Sequence, residues 1–236
     1  MINPSSNSES SNERLISELA RDLAPAPRLR PPTVRALTWL TVVAATALLL
    51  AAIADLSALG NRLGAAPDMW LSVIGSTLTA ILAAVAAFQL GLPDARPVWA
   101  LLPLPAALLW VVASGVGCLR TWLVPGTHAA DLSEARDCLI FIVGLAVPLS
   151  AVLFIMLRRA YTLQPALTAL IAGLASAAAA ASLLNFFHPF DSSATDLAVH
   201  IFAVATVIMA NWGFSGRLLA GNFSHDDVTR AIVRSN

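Results

Sequence analysis

The chain has only two cysteines, and they bracket one stretch, Cys118 to Cys138, reading CLRTWLVPGTHAADLSEARDC. Between them lie His128, Asp131, Glu134 and Asp137. Downstream come His188, in Asn185-Phe-Phe-His188-Pro-Phe-Asp191, and His200, with Asp196 nearby. Soft thiolate together with imidazole suits zinc or copper(I), so His128, His188 and His200 are candidate metal ligands beside the thiols. A histidine near a helix end serves more often as a hydrogen-bonded structural group. No resident cofactor is implied; the ligand this donor set admits is a transient metal ion at the cysteine pair.

Other chemistry is set aside. There is no Gly-x-Ser-x-Gly elbow, no phosphate-binding glycine loop and no HExxH pair, so an enzyme is not expected. Ionisable groups deep in apolar segments mark proton or substrate paths. Here the apolar segments are nearly free of carboxylates, and Asp55 and Asp196 fall within three residues of a segment end.

The elements that must position these residues are apolar. The chain is 236 residues, 58% hydrophobic and 12% charged, with mean hydropathy +0.76. Soluble domains carry about a quarter charged residues. Net charge is zero, which implies no direct contact with nucleic acid. A helix needs about 20 apolar residues to cross the bilayer core. Six segments reach that length: Ala36–Leu56, Trp70–Leu92, Pro97–Gly117, Cys138–Leu157, Pro165–Phe187 and Ala194–Phe214. The expected fold is an all-α integral membrane protein of six transmembrane helices, residues 36–214, preceded by a short cytoplasmic N-terminal amphipathic helix. Residues 215–236 form a cytoplasmic C-terminal tail.

Arginine placement sets the orientation. With both termini cytoplasmic, eleven of the fourteen arginines lie inside and only Arg62, Arg120 and Arg136 outside. The thiols then sit at one outer surface, at neighbouring helix ends. In an oxidising compartment such a pair forms disulfides readily. Closing this loop removes unfolded-chain entropy worth roughly 3 kcal/mol. A plain staple or two buried thiols is the simpler account from spacing alone. A reversible pair that changes the angle between the third and fourth spans is the functional one.

Residues 1–35 are polar and proline-dotted, without the layout of a cleavable signal. Met1 to Asn7 read as disordered. Ser10-Ser11-Asn12-Glu13 fits a capping box opening a helix. Leu15, Ile16, Leu19 and Leu23 form its apolar stripe, flanked by Glu13, Arg14, Glu18, Arg21 and Asp22. The mixed charge suits a protein groove better than a lipid surface, which favours basic faces. Pro25 and Pro27 end the helix, and PAPRLRPP is a stiff spacer to the membrane.

These residues resemble a known family. The run Leu15-Ile16-x-x-Leu19-Ala20-x-Asp22-Leu23-x-Pro25, the Pro31-Pro32-Thr33-Val34-Arg35 lead into the first span, six spans and an outer cysteine pair are similar to the NrsF-type membrane anti-sigma factors, negative regulators of sigma F. The likeness runs from about Glu13 to Leu218. It implies a bacterial inner-membrane protein whose residues 1–35 hold an extracytoplasmic-function sigma factor at the membrane, away from RNA polymerase. It also implies that Leu15, Ile16, Leu19 and Leu23 form the docking stripe and that Cys118 and Cys138 sense oxidative or metal stress. So short a segment must bind as a helix plus an extended strap, folding on contact. Two alternatives stand beside this reading: a small transporter using the outer His/Asp cluster, and an assembly or accessory protein.

Overall fold

The computed structural model describes residues 4–21, 30–65, 67–123, 132–158, 160, 162–187 and 194–218. Among them every regular element is a helix: α1 Pro4–Arg21, α2 Pro32–Ile53, α3 Leu56–Ala65, α4 Pro67–Leu90, a 3₁₀ turn Pro97–Leu101, α5 Leu104–Leu123, α6 Leu132–Leu157, α7 Pro165–Leu184 and α8 Ala194–Leu218. The chain forms two units, Met1–Arg30 and Pro31–Asn236.

In the first unit α1 starts earlier than the sequence suggests. Pro4 occupies the first helical position, where a missing N–H costs nothing, so the helix takes in residues read as disordered. The expected capping box at Ser10–Glu13 therefore lies inside the helix. There Ser17 Oγ donates back to the Glu13 carbonyl at 2.7 Å.

In the second unit α7 is the central post. Most of it is buried, and its alanine-rich faces let α4, α6 and α8 pack closely around it. Two glycines mark the tightest approaches. A Cβ at Gly75 would lie 2.8 Å from the Trp110 backbone, and one at Gly173 would lie 2.9 Å from Ile208 Cα. Small residues at helix crossings are the usual means of packing where no water drives association.

Among the described residues five helices are long and apolar enough to cross a membrane: Pro32–Ile53, Met69–Leu90, Pro97–Val116, Arg136–Leu157 and Pro165–Leu184. In α8 the apolar stretch is the shorter Ala198–Phe214.

Three boundaries differ from the sequence expectation. The first span ends at Ile53, and Asp55 caps a separate short helix instead of closing the span. Its Oδ1 accepts from Ser57 N and Ala58 N, both at 3.0 Å, which satisfies free amides at the start of α3. The third span is divided, because Pro103 and Pro105 cannot donate into a continuous ladder; Ala107 N reaches the Pro103 carbonyl at 2.9 Å as α5 begins. Helices also run past both cysteines. α5 continues to Leu123 and α6 begins at Leu132, since the first strong breaker is Pro125-Gly126. The thiol positions are thus inside helices, not at their ends.

Side chains from neighbouring elements cap helix ends at one end of the bundle. The last carbonyls of a helix have no partner within it. At the end of α4, Thr162 Oγ1 donates to the Leu90 carbonyl at 3.0 Å. At the end of α6, the buried Arg35 guanidinium donates to the Met156 carbonyl and stacks 5.0 Å from the Phe88 ring centroid. A cation here also complements the negative end of the α6 dipole. One turn further along α2, Trp39 Nε1 donates to the Leu149 carbonyl at 3.1 Å.

Candidate functional site

Three helices meet around Cys138. It lies in the second turn of α6, 2% exposed. On the same face of α6 follow Ile142 and Ala146; α7 contributes Ala177, Ala180 and Leu184, and α8 contributes Ala203 and Val207. His200 lies three residues before Ala203, on the α8 face turned to this seam. Cys138 Sγ is 3.6 Å from His200 Nε2 and 3.7 Å from Nδ1. Both ring nitrogens are within hydrogen-bond reach of the sulfur, and the tautomer decides which one pairs with it. Next to the pair, Phe141 and Phe187 pack at 5.8 Å with planes tilted 53°.

This arrangement brings together two of the residues singled out in the sequence, Cys138 and His200, across 62 positions of chain. Cys138 is buried between helices where the sequence placed it at a helix end, because the helix starts six residues earlier and turns the thiol toward α7 and α8. Cys118 lies on α5, and its side chain is outside the described residues. His128 and His188 also lie outside them. α5 packs on α4 and α8, whereas α6 packs on α7 and α8. α8 therefore stands between the helices that carry the two thiols.

A closed zinc site takes four ligands in a tetrahedron. Among the described residues no three His, Cys, Asp or Glu side chains gather. Cys138 and His200 supply two soft donors, half of such a shell. As a pair they suit proton exchange between thiol and imidazole, because a thiol is a nucleophile only as thiolate.

In α1, Leu15 is 57% and Ile16 65% exposed, side by side on the helix surface. The Leu19 side chain and the whole of Leu23 are outside the described residues.

Arg35 and Trp39 were not singled out as functional by the sequence reading, which used Arg35 for orientation and in the lead into the first span. A signal was present. Arg35 and Trp39 are four residues apart and so share a helix face, and an arginine inside the first turn of an apolar span needs a partner. Asn211 is a third case: its amide donates to Ser150 Oγ at 3.3 Å, tying α8 to α6.

Among curated proteins and among solved structures, none matches the chain. A family profile does, over residues 19–220: NrsF, negative regulator of sigma F. With that match running from within α1 to the end of α8, the chain belongs to the NrsF family of sigma-factor regulators.

Proposed function

We propose that this protein is a six-span inner-membrane anti-sigma factor with both termini in the cytoplasm. It binds an extracytoplasmic-function sigma factor through Leu15, Ile16, Leu19 and Leu23 and releases it when Cys118 and Cys138 react with an oxidant or a thiophilic metal. The family match over residues 19–220 carries the reading. It begins inside α1, so the roles of Leu15 and Ile16 rest on their exposure. Two neighbouring large aliphatics on a charged helix are what a partner groove takes up. In this reading α8, Ala194–Leu218, is the sixth span, and the arginine distribution supports the orientation.

The contacts suggest how the two ends communicate. α6 carries Cys138 near one end and the Met156 carbonyl, held by Arg35, near the other. By helical rise these lie about 27 Å apart. Arg35 follows closely on Pro31, where the spacer from the sigma-binding segment joins α2. Disulfide formation or metal binding at Cys138 adds bulk to a seam with no room for it, and close-packed interiors respond by shifting elements. Displacement of α6 against α8 would carry to Arg35 and Trp39 and alter how residues 1–30 are presented. The signal then selects between two packings of the bundle.

Co-purification tests the reading. Full-length protein extracted in mild detergent is expected to retain a sigma factor, identified by mass spectrometry, and Leu15→Glu/Leu19→Glu is expected to lose it at equal membrane abundance. Retention by the double variant would remove the docking stripe. Absence of any sigma factor from the wild-type complex would remove the anti-sigma reading.

A further inference from the structure

A cleft of about 410 Å³ opens on the side of the bundle formed by α2, α3, α4 and α7, away from the Cys138 seam. Its walls are Leu40, Val43 and Ala47 of α2 with Val73, Thr77 and Ile81 of α4, and the back is α7 from Ala179 to Phe186. It exists because α2 is held at one end only. The fully buried residues of α2 are Arg35, Ala36 and Trp39, all in its first turns. Towards the other end Leu48, Leu49 and Ile53 are 73%, 72% and 75% exposed. α3 covers the mouth, turning Leu59 and Leu63 into the cleft.

We propose that this cleft binds one acyl chain of a bilayer phospholipid. The inference rests on the reading that these helices span a membrane. From Val73 to Ile81 the wall rises about 12 Å, close to the depth of one leaflet, about half of a ~30 Å hydrocarbon core. Volume and lining match ligand sites in general, which are mostly apolar with a few placed polar groups. Here those are Thr77 and Ser182, whose hydroxyls meet at 3.4 Å, and Asn185 at the end of α7. Among the described residues no arginine or histidine lines the cleft. The apolar walls take the chain, and its own headgroup anchors it outside. In this reading α3 lies at the level of that headgroup. It is too short to span and carries its apolar face inward, as interfacial helices do.

The test uses full-length protein in vesicles of phosphatidylethanolamine and phosphatidylglycerol with a trace of phosphatidylcholine bearing a mid-chain diazirine. After irradiation, adducts are mapped by mass spectrometry. Labelling on residues 40–47 and 73–81 is expected to exceed, several-fold, that on Leu108, Val111 and Val112, which are exposed on α5. Ala47→Phe, which fills the cleft, and Leu63→Trp, from the opposite wall, are each expected to cut cleft labelling several-fold and leave α5 labelling unchanged. Equal labelling of cleft and α5, or cleft labelling unaltered in both variants, would overturn the proposal and leave the membrane reading intact. No labelling of either surface would overturn both.

Discussion

Cys138 is nearly excluded from solvent, yet an imidazole lies against its sulfur. An apolar surrounding alone disfavours a thiolate, while a nearby base that can take the proton favours it. His200→Ala is therefore expected to slow alkylation of Cys138 by N-ethylmaleimide several-fold at neutral pH, measured in a Cys118→Ser background. An unchanged rate profile would mean that the contact is packing only. In cells, Cys118→Ser/Cys138→Ser is expected to leave sigma-dependent transcription unresponsive to oxidant and metal; a wild-type response in a reporter assay would make both thiols structural.

Between elements, the bundle is held by a few polar clamps on a background of small-residue packing. Arg35→Ala removes the donor from a part-buried carbonyl near the end of α6 and is expected to cost about 1 kcal/mol. Thermal unfolding in detergent should show that loss. If release works through α6, the same variant should also raise basal sigma activity. Gly75→Ala probes the other kind of contact. Its new Cβ meets Trp110 backbone, which cannot rotate away, so α4 and α5 must separate. A loss of about 1–3 kcal/mol is expected, as for overpacked cores. Melting at the wild-type temperature would show that these two helices are free to shift.

For the molecule as a whole, the question is how an event at one end of the bundle reaches a segment joined to the other. α6 touches α2 at two points beyond Cys138: Trp39 donates to the Leu149 carbonyl, and Arg35 donates to the Met156 carbonyl near the end of the helix. Trp39→Phe keeps most of the ring and deletes the N–H. It is expected to leave sigma co-purification intact while weakening release on oxidation, read as the fraction of sigma factor eluted by a mild oxidant. Unaltered release would place the coupling elsewhere, with α8 and its Asn211–Ser150 contact the next path to test.

Much of this was legible in the residue order. Composition and the spacing of apolar runs pointed to an all-helical chain with segments apolar enough to cross a membrane, and the Leu15–Pro25 run with the cysteine pair pointed to the family that the profile match then showed. These signals are local, because hydrophobic length and helix periodicity are written in consecutive residues. Boundaries were less legible. Asp55 reads as the end of a span until its carboxylate is seen capping α3, and nothing in the sequence distance between Cys118 and Cys138 says that the helices continue past them. What only the tertiary structure decided is which faces meet. Cys138 lies on His200, Arg35 on Met156 and Gly75 on Trp110 because α6 meets α8 and α2, and α4 meets α5, at particular rotations. A helix's rotation about its axis is set by side chains from distant parts of the chain, and a single sequence carries no direct record of those pairings.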